Sequence, residues 1–474
     1  MNFSYAAADA AALADFGLSV APGEFVVLSG PSGCGKTTAT RLLNGLIPHF
    51  HEGDLTGQVR VFGRDPAQQR IWETAAEVGS VFQNPRSQFF TTDPVSEIAF
   101  GCENLGLPAA VTRQRVERAL AEFGLEPLRD RSIFALSGGE KQRLACAAVA
   151  ATEPGLYVLD EPSANLDAAA TERLRAIMAG WKASGASVVV AEHRLGYLRD
   201  LADRLLVLTE GRITGEYSGE QFRAMDDDAL AALGLRRATP PLPPRSGTPA
   251  GPALEVRDLT YRHTSRKVPG GGSRRPRPAL RLDRLAIPKG RITALQGANG
   301  AGKTTLARWL AGLSPGRGGQ LLDEGRPIGR RERRRRVFLV LQDVNHQLVT
   351  ESVSDEIAVT LRLAGPGGAV EAERDRILAA VDLSAYAERH PMSLSAGQKQ
   401  RLAIGTALAS QREIVILDEP TSGLDLAHMR QVAAALRRLS EQGRTVLVAT
   451  HDAELIAACA DHVITLDRGR VALQ

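Results

Sequence analysis

Apolar residues in this chain gather into short runs of four to six, each ending on a polar or charged residue. Phe25-Val-Val-Leu-Ser, Leu156-Tyr-Val-Leu-Asp160 and Ser187-Val-Val-Val-Ala-Glu192 predict buried strands. Ile292-Thr-Ala-Leu, Ile414-Val-Ile-Leu-Asp418 and Thr445-Val-Leu-Val-Ala-Thr450 predict three more. Runs without polar alternation are what a strand covered on both faces requires. Alanine-rich helical stretches separate them, and such alternation predicts an α/β fold with parallel strands at the centre of a sheet, once in each half.

The halves repeat one another. Lys36 matches Lys303 at an offset of 267 and Gln83 matches Gln342 at 259, while Ser137, Glu161 and His193 match Ser395, Glu419 and His451 at 258 each. Colinear matches at one long offset imply a duplicated domain, not a short-period solenoid. The drift lies mainly between Lys and Gln, spaced by 47 residues in the first copy and 39 in the second, which predicts a surface excursion in the first.

A length of 474 residues suggests about three domains or two large ones, and the repeat selects two. They are expected at 1–235 and 253–474. The Pro-rich stretch 236–252 between them cannot form a helix or a central strand and is expected to be an exposed linker. The irregular stretch 263–278, with Gly270-Gly271-Gly272, is expected to lengthen a loop of the second copy. Nothing before Tyr5 matches the strand-like Ala253-Leu-Glu-Val-Arg-Asp-Leu-Thr260, so the first copy is expected to lack one edge strand.

Composition narrows the class. Apolar residues make up 43% and charged residues 24%, close to soluble globular averages. No apolar run approaches the length of a membrane span, and the N-terminus lacks a basic region followed by an apolar one, so neither a membrane-spanning nor a secreted protein is expected. Cys34, Cys102, Cys146 and Cys459 are scattered without a C-x-x-C pair, which points to free thiols and to neither zinc nor disulfides. Net charge is +4, yet 330–336 alone carries six arginines and one glutamate. A basic footprint confined to one short run weakens a nucleic-acid reading, and a solvated face is expected there, with an acidic partner or lipid headgroups as alternatives.

Two segments carry phosphate chemistry. Gly30-Pro31-Ser32-Gly33-Cys34-Gly35-Lys36-Thr37-Thr38 and Gly297-Ala298-Asn299-Gly300-Ala301-Gly302-Lys303-Thr304-Thr305 each follow a strand and open a helix. Glycines let backbone N–H groups converge on an anion, and the helix N-terminus adds partial positive charge. Lysine supplies a point charge to terminal phosphates, and Thr37 or Thr304 an oxygen for Mg²⁺. Lysine is scarce, 7 against 51 arginines, and four of the seven, Lys36, Lys141, Lys303 and Lys399, lie inside repeated motifs. Asp160-Glu161 and Asp418-Glu419 end buried strands, where the metal shell and the attacking water of a phosphate-loop protein belong. Asp160 and Asp418 are assigned to Mg²⁺, and Glu161 and Glu419 to the base or orienter of water.

Leu136-Ser137-Gly138-Gly139-Glu140-Lys-Gln-Arg and Leu394-Ser395-Ala396-Gly397-Gln398-Lys-Gln-Arg resemble the signature of ATP-binding cassette ATPases. With them come Gln83 and Gln342 of the Q-loop type, Asp167 and Asp425 in S-A-N-L-D and T-S-G-L-D, and His193 and His451 after the next strand. The resemblance covers nearly the whole chain outside the linker. It implies two tandem phosphate-loop domains, each with an antiparallel β subdomain and a helical subdomain, that pair head to tail around two ATP molecules. It further implies that the histidines contact the γ-phosphate, that Gln83 and Gln342 join the Mg²⁺ shell, that the signature residues bind phosphate, and that Tyr5 and Tyr261 stack on adenine; lying so near the start of the first copy, Tyr5 is expected to be poorly held. Ala396, where the first copy has Gly138, adds a Cβ and implies modest inequality between the sites.

Val81-Phe-Gln83-Asn-Pro-Arg-Ser-Gln-Phe89-Phe90, the following Val95–Pro108 stretch and Ala191-Glu192-His193-Arg194-Leu195 resemble the ATPases of energy-coupling factor importers. Fusion of two cassettes is similar to the hydroxymethylpyrimidine/thiamine-type members. That resemblance implies a transmembrane coupling protein docked beside Gln83 to Phe90 and Gln342 to Leu348, a separate membrane protein that captures a vitamin, precursor or metal ion, and a place at the cytoplasmic face of the membrane. Phe89 and Phe90 are candidate docking residues, with a core role as the alternative. A tandem sugar-importer ATPase is the nearer rival. Ribosome-acting cassettes are expected to carry a long charged helical linker and DNA-repair cassettes clustered cysteines, and this sequence shows neither.

Overall fold

The computed structural model describes every residue except 7–9, 165, 240, 243–250, 263–278, 315–317, 366–369 and 473–474. The irregular stretch 263–278 and most of the expected linker therefore lie outside the described residues. The chain divides into two compact units, Met1–Thr239 and Pro240–Gln474. No helix among the described residues is long and apolar enough to cross a membrane.

The first unit begins with β1 (Asn2–Tyr5) and β2 (Phe25–Ser29), then α1 (Lys36–Leu43), α2 (Leu46–His49), β3 (Gly53–Thr56), α3 (Ile71–Glu77) and β4 (Val78–Val81). A helical layer follows, α4 (Pro94–Asn104), α5 (Ala109–Glu122) and α6 (Gly138–Ala150). The unit continues with β5 (Leu156–Asp160), α7 (Ala168–Ala183), β6 (Ser187–Ala191), β7 (Arg204–Thr209), β8 (Arg212–Ser218), α8 (Gly219–Ala224) and α9 (Asp227–Ala232). Its main sheet runs β4-β5-β6-β2-β7-β8, parallel throughout except for β8. Phe25 and Val27 of β2 pack into one core with the helical layer, while Val26 and Leu28 pack on the opposite face with Leu42 of α1. Burial on both faces explains why these strands read as unbroken apolar runs.

The second unit repeats the plan with β9 (Ala253–Tyr261), β10 (Leu280–Pro288), β11 (Ile292–Gln296), α10 (Lys303–Leu310), β12 (Gln320–Asp323), β13 (Arg326–Pro327), α11 (Arg330–Arg336) and β14 (Val337–Val340). It continues with α12 (Val353–Ala364), α13 (Val370–Ala380), α14 (Ala396–Ala409), β15 (Ile414–Asp418), α15 (Leu426–Glu441), β16 (Thr445–Ala449), α16 (Ala453–Cys459), β17 (His462–Asp467) and β18 (Arg470–Val471). Its main sheet, β14-β15-β16-β11-β17-β18, has the same order, and a four-stranded antiparallel sheet, β10-β9-β12-β13, lies beside it.

Three expectations need correction. The strand thought absent before Tyr5 is present as β1, four residues long and paired antiparallel with β3. Among the described residues, the counterpart of β10 in the first unit is the isolated bridge Phe3↔Leu13. The longer Lys-to-Gln segment of the first unit is not wholly a surface excursion, because Ile47, Val59 and Val61 from it are buried in the core. The linker starts later than residue 236: Arg236 is buried, and Asp227 Oδ1 accepts from Ala238 N at 3.0 Å and Thr239 N at 3.3 Å. The arginine run is α11, a solvated helix with no buried residue, but three of its arginines also bond to the body of the unit. Arg333 lies over the Trp309 ring at 4.3 Å and donates to Trp309 O at 2.7 Å, while Arg330 and Arg334 donate to Gly312 O at 2.9 and 3.0 Å. Three guanidiniums thus meet the carbonyl end of α10, where the helix dipole favours cations.

Candidate functional site

In the first unit, β2 ends at Ser29 and α1 starts at Lys36, so the phosphate loop bridges a strand end and a helix N-terminus. Gly30 (φ 146°) and Gly35 (φ 103°) hold backbone angles that favour glycine. A Cβ on Gly30 would lie 2.1 Å from Leu208 O, and one on Gly35 2.5 Å from Ala12 O, so neither position admits a side chain. Lys36 Nζ folds back over the loop, donating to Gly30 O and Pro31 O at 2.9 Å each. Cys34 is buried behind it, and burial raises its thiol pKa despite the nearby Lys36 ammonium.

The acidic strand end lies against this loop. Thr37 Oγ1 donates to Asp160 Oδ1 at 3.1 Å. Burial, then the Glu161 charge, pushes the Asp160 carboxyl up to about 6. Glu161 sits at φ 44° with its N–H on Ala191 O, and its carboxylate meets Gln83 Nε2 at 2.7 Å and His193 Nε2 at 3.4 Å. Burial opposes ionisation of Glu161, but His193, Lys36 and Gln83 outweigh it and hold the group below the usual carboxylate range. One acid is thereby tuned to ionise readily and its neighbour to resist, an arrangement suited to separate tasks.

The second unit assembles the same groups with different supports. Gly297 (φ 147°) and Gly302 (φ 105°) shape its loop, and Lys303 Nζ donates to Gly297 O at 2.6 Å and lies 3.9 Å from Glu419 Oε1. Thr304 bonds Asp418, whose pKa burial raises. Glu419 Oε2 accepts from Thr450 Oγ1 at 3.2 Å and sits 2.9 Å from His451 Nδ1. Gln342 lies just past β14, on an exposed stretch. Asp418 Oδ1 is buried with no hydrogen-bond partner among the described residues. A buried carboxylate oxygen left over beside a threonine hydroxyl is the donor set a hard divalent cation takes, so the residues fit Mg²⁺.

Both signatures open helices. Ser137 Oγ accepts from Glu140 N at 3.3 Å while Glu140 Oε2 accepts from Ser137 N at 2.7 Å, and Ser395 with Gln398 repeats this reciprocal cap at 3.3 and 2.9 Å. Gly138 and Gly139 start α6, as Ala396 and Gly397 start α14. Tyr5 is not poorly held: its hydroxyl meets Thr38 Oγ1 at 3.2 Å and accepts from Arg41 Nη1 at 3.0 Å, and its ring packs edge-on to Phe3. Tyr261 ends β9, half-buried against the core of its unit.

Glu192 and Asp452 escaped the sequence reading as site residues. Glu192 is buried, and its carboxylate accepts from the N–H groups of His193 and Arg194, the Ser163 hydroxyl and the Tyr197 hydroxyl, at 2.8, 3.0, 2.9 and 2.9 Å. It ties the histidine loop to the turn after Glu161. Thr450 stands at the matching position, and the task passes to Asp452, which accepts from Thr421 Oγ1 at 2.6 Å and caps α16. The available signal was a lone acid ending a run of buried β-branched residues.

A family model described as ABC transporter matches residues 13–164 and 280–422. An ABC transporter ATP-binding protein of Treponema denticola is 39% identical over 482 residues, spanning 99% of this chain and 95% of the relative. The chain belongs to the ABC transporter family. It is accordingly an ATPase with two fused ABC cassettes, as the phosphate loops and signatures lead one to expect. A Methanosarcina acetivorans protein of the same description is 36% identical over 520 residues, covering 100% of this chain and 84% of its own. Among solved structures, ribosome-bound archaeal Pelota and ABCE1 aligns with TM-score 0.68 and 21% identity over 99% of this chain and 77% of that one. An RNase-L inhibitor aligns with TM-score 0.63 and 22% identity over 99% and 89%. At such identities these ABC neighbours share the tandem fold and nothing more specific.

Proposed function

We propose that this ABC ATPase is the energising subunit of an energy-coupling factor importer for a vitamin, vitamin precursor or metal ion, working at the cytoplasmic face of the membrane. Lys36 and Lys303 hold the terminal phosphates of ATP with the loop amides at Gly30–Thr38 and Gly297–Thr305, and Tyr5 and Tyr261 support adenine. Thr37 with Asp160 and Thr304 with Asp418, joined by Gln83 and Gln342, would hold Mg²⁺, which when bound neutralises charge on the phosphates. Glu161 and Glu419 accept a proton from the attacking water, and His193 and His451 fix those carboxylates and reach the γ-phosphate. The signature residues Ser137, Gly138, Gly139, Ser395, Ala396 and Gly397 contribute amides and hydroxyls to phosphate.

The observation that carries the importer reading is a matched pair of exposed apolar side chains behind the two glutamines. Phe90 is 73% exposed and Val349, its counterpart, 83%, whereas Phe89 packs against the core and Leu348 is buried. In each copy one residue of the pair anchors the segment and the other faces outward, the arrangement of a docking surface for an apolar partner element. The names of the relatives, which are ABC transporter proteins, support a membrane partner, here a transmembrane coupling protein accompanied by a substrate-capturing membrane protein. Phe90→Ser tests this without touching Phe89: basal ATP hydrolysis should persist while association with membrane partners is lost. Unchanged association would discard the docking assignment.

A further inference from the structure

The first unit contains a cavity of about 930 Å³ between α5, α6, α7 and the start of β5, lined by none of the residues assigned above to ATP. Small residues open it. Ala150 and Gly180 line it, and a Cβ on Gly180 would meet nothing within 4 Å; the matching positions of the second copy are Leu408 and Arg438. Duplication therefore supplies an internal comparison, with larger side chains at both positions in the second copy.

Charge differs in the same place. In the second unit Arg401 is buried and donates to Asp382 Oδ2 at 2.8 Å and Gln431 Oε1 at 3.4 Å. Its counterpart in the cavity wall is Arg143, but Gly124 stands where Asp382 would, and Arg173 where Gln431 would. Among the described residues Arg143 Nη1 donates to the carbonyls of Phe123 and Gly124, at 3.0 and 3.1 Å. Among the described residues neither Arg143 nor Arg173 forms an ion pair, and burial together with the neighbouring Arg173 charge lowers the pKa of Arg143. Around Arg143 the first copy has thus exchanged an acid for a second cation, while Glu122 and Glu153 line the same cavity where the second copy has Ala380 and Gln411. Beside the two guanidiniums runs an apolar wall of Ile177 and Trp181, the indole stacked on Tyr157 at 3.9 Å.

We propose that this cavity binds a small organic anion, its carboxylate or phosphate head between Arg143 and Arg173 and its apolar body along Ile177 and Trp181. Paired guanidiniums match such heads bidentately, and the volume falls within the range of small-molecule sites.

The full-length chain, with its phosphate loops filled by ADP and Mg²⁺, is titrated calorimetrically with 1-naphthoate, 1-naphthyl phosphate and uncharged 1-naphthamide. At least one anion should bind once per chain and the amide about tenfold or more weaker, the acid or phosphate arm identifying the preferred head. The variant Gly124→Asp/Arg173→Gln rebuilds the second copy's pairing; Gly124 (φ 60°) and Asp382 (φ 52°) share a backbone conformation, so aspartate is accommodated. It should lose anion binding by about tenfold or more with ATP hydrolysis unchanged. If that variant does not fold, Arg173→Gln alone, at an exposed position, carries the same comparison. Absence of binding by both anions, equal binding by the amide, or undiminished binding by the variant overturns the proposal.

Discussion

Ser163 donates its hydroxyl to Glu192 Oε2 at 2.9 Å, joining the turn that follows Glu161 to the strand end that presents His193. Tyr197 and three backbone N–H groups converge on the same carboxylate. Glu192→Ala would strand these buried donors and should cost ~2–3 kcal/mol, lowering the first unit's melting transition by about 5–10 °C. Scanning calorimetry should show the second unit's transition unmoved, since Asp452 does the equivalent work there.

Asp160 gives the first unit a pH dependence whose sign is set by burial. Its carboxyl titrates near 6 in the fold against about 3.9 when unfolded, so the neutral form favours folding. The contribution is present below about pH 4 and is lost as pH rises through about 6. Without nucleotide, wild type should lose more stability between pH 5 and 7 than Asp160→Asn. ATP turnover should move the other way, rising as Asp160 ionises and can hold a cation. A variant whose pH–stability profile overlays the wild type would remove this assignment.

Glu161→Gln and Glu419→Gln should each slow ATP turnover by about 10²-fold or more, because each removes a proton acceptor from water. The two losses should differ in size, given Ala396 in one signature and the distinct supports of the two carboxylates, Gln83 on one and Thr450 on the other. Equal losses in steady-state assays would show functionally identical sites.

Arg333→Ala should destabilise the second unit by ~1–2 kcal/mol, since it removes both the guanidinium over Trp309 and a cap on the carbonyl end of α10. Lysine should restore little, because a compact ammonium cannot stack and cap together. Chemical denaturation of the three proteins checks this; full rescue by Arg333→Lys would reduce the contact to simple charge.

Phosphate loops and strand cores were readable from sequence because their physics constrains residue type. Only glycine fits at Gly30 and Gly35, and only unbroken apolar runs suit strands covered on both faces. What was not readable depends on partners distant in the chain. Nothing in the one-dimensional pattern says that Glu192 is buried under five donors while Thr450 delegates to Asp452. Nor does it say that Arg330, Arg333 and Arg334 turn inward onto α10, or that Phe89 enters the core while the adjacent Phe90 does not. The β1–β3 pairing was missed because four residues are too few for a periodicity to declare itself.

The importer proposal is tested most directly by tagging the chain in its native host, solubilising membranes in mild detergent and identifying what co-purifies stoichiometrically, for wild type and for Phe90→Ser/Val349→Ser. The account predicts two integral membrane proteins, one carrying a bound vitamin, precursor or metal ion, that are lost from the variant while its ATP hydrolysis remains. Ribosomal subunits in place of membrane proteins, or membrane partners retained undiminished by the variant, would contradict it.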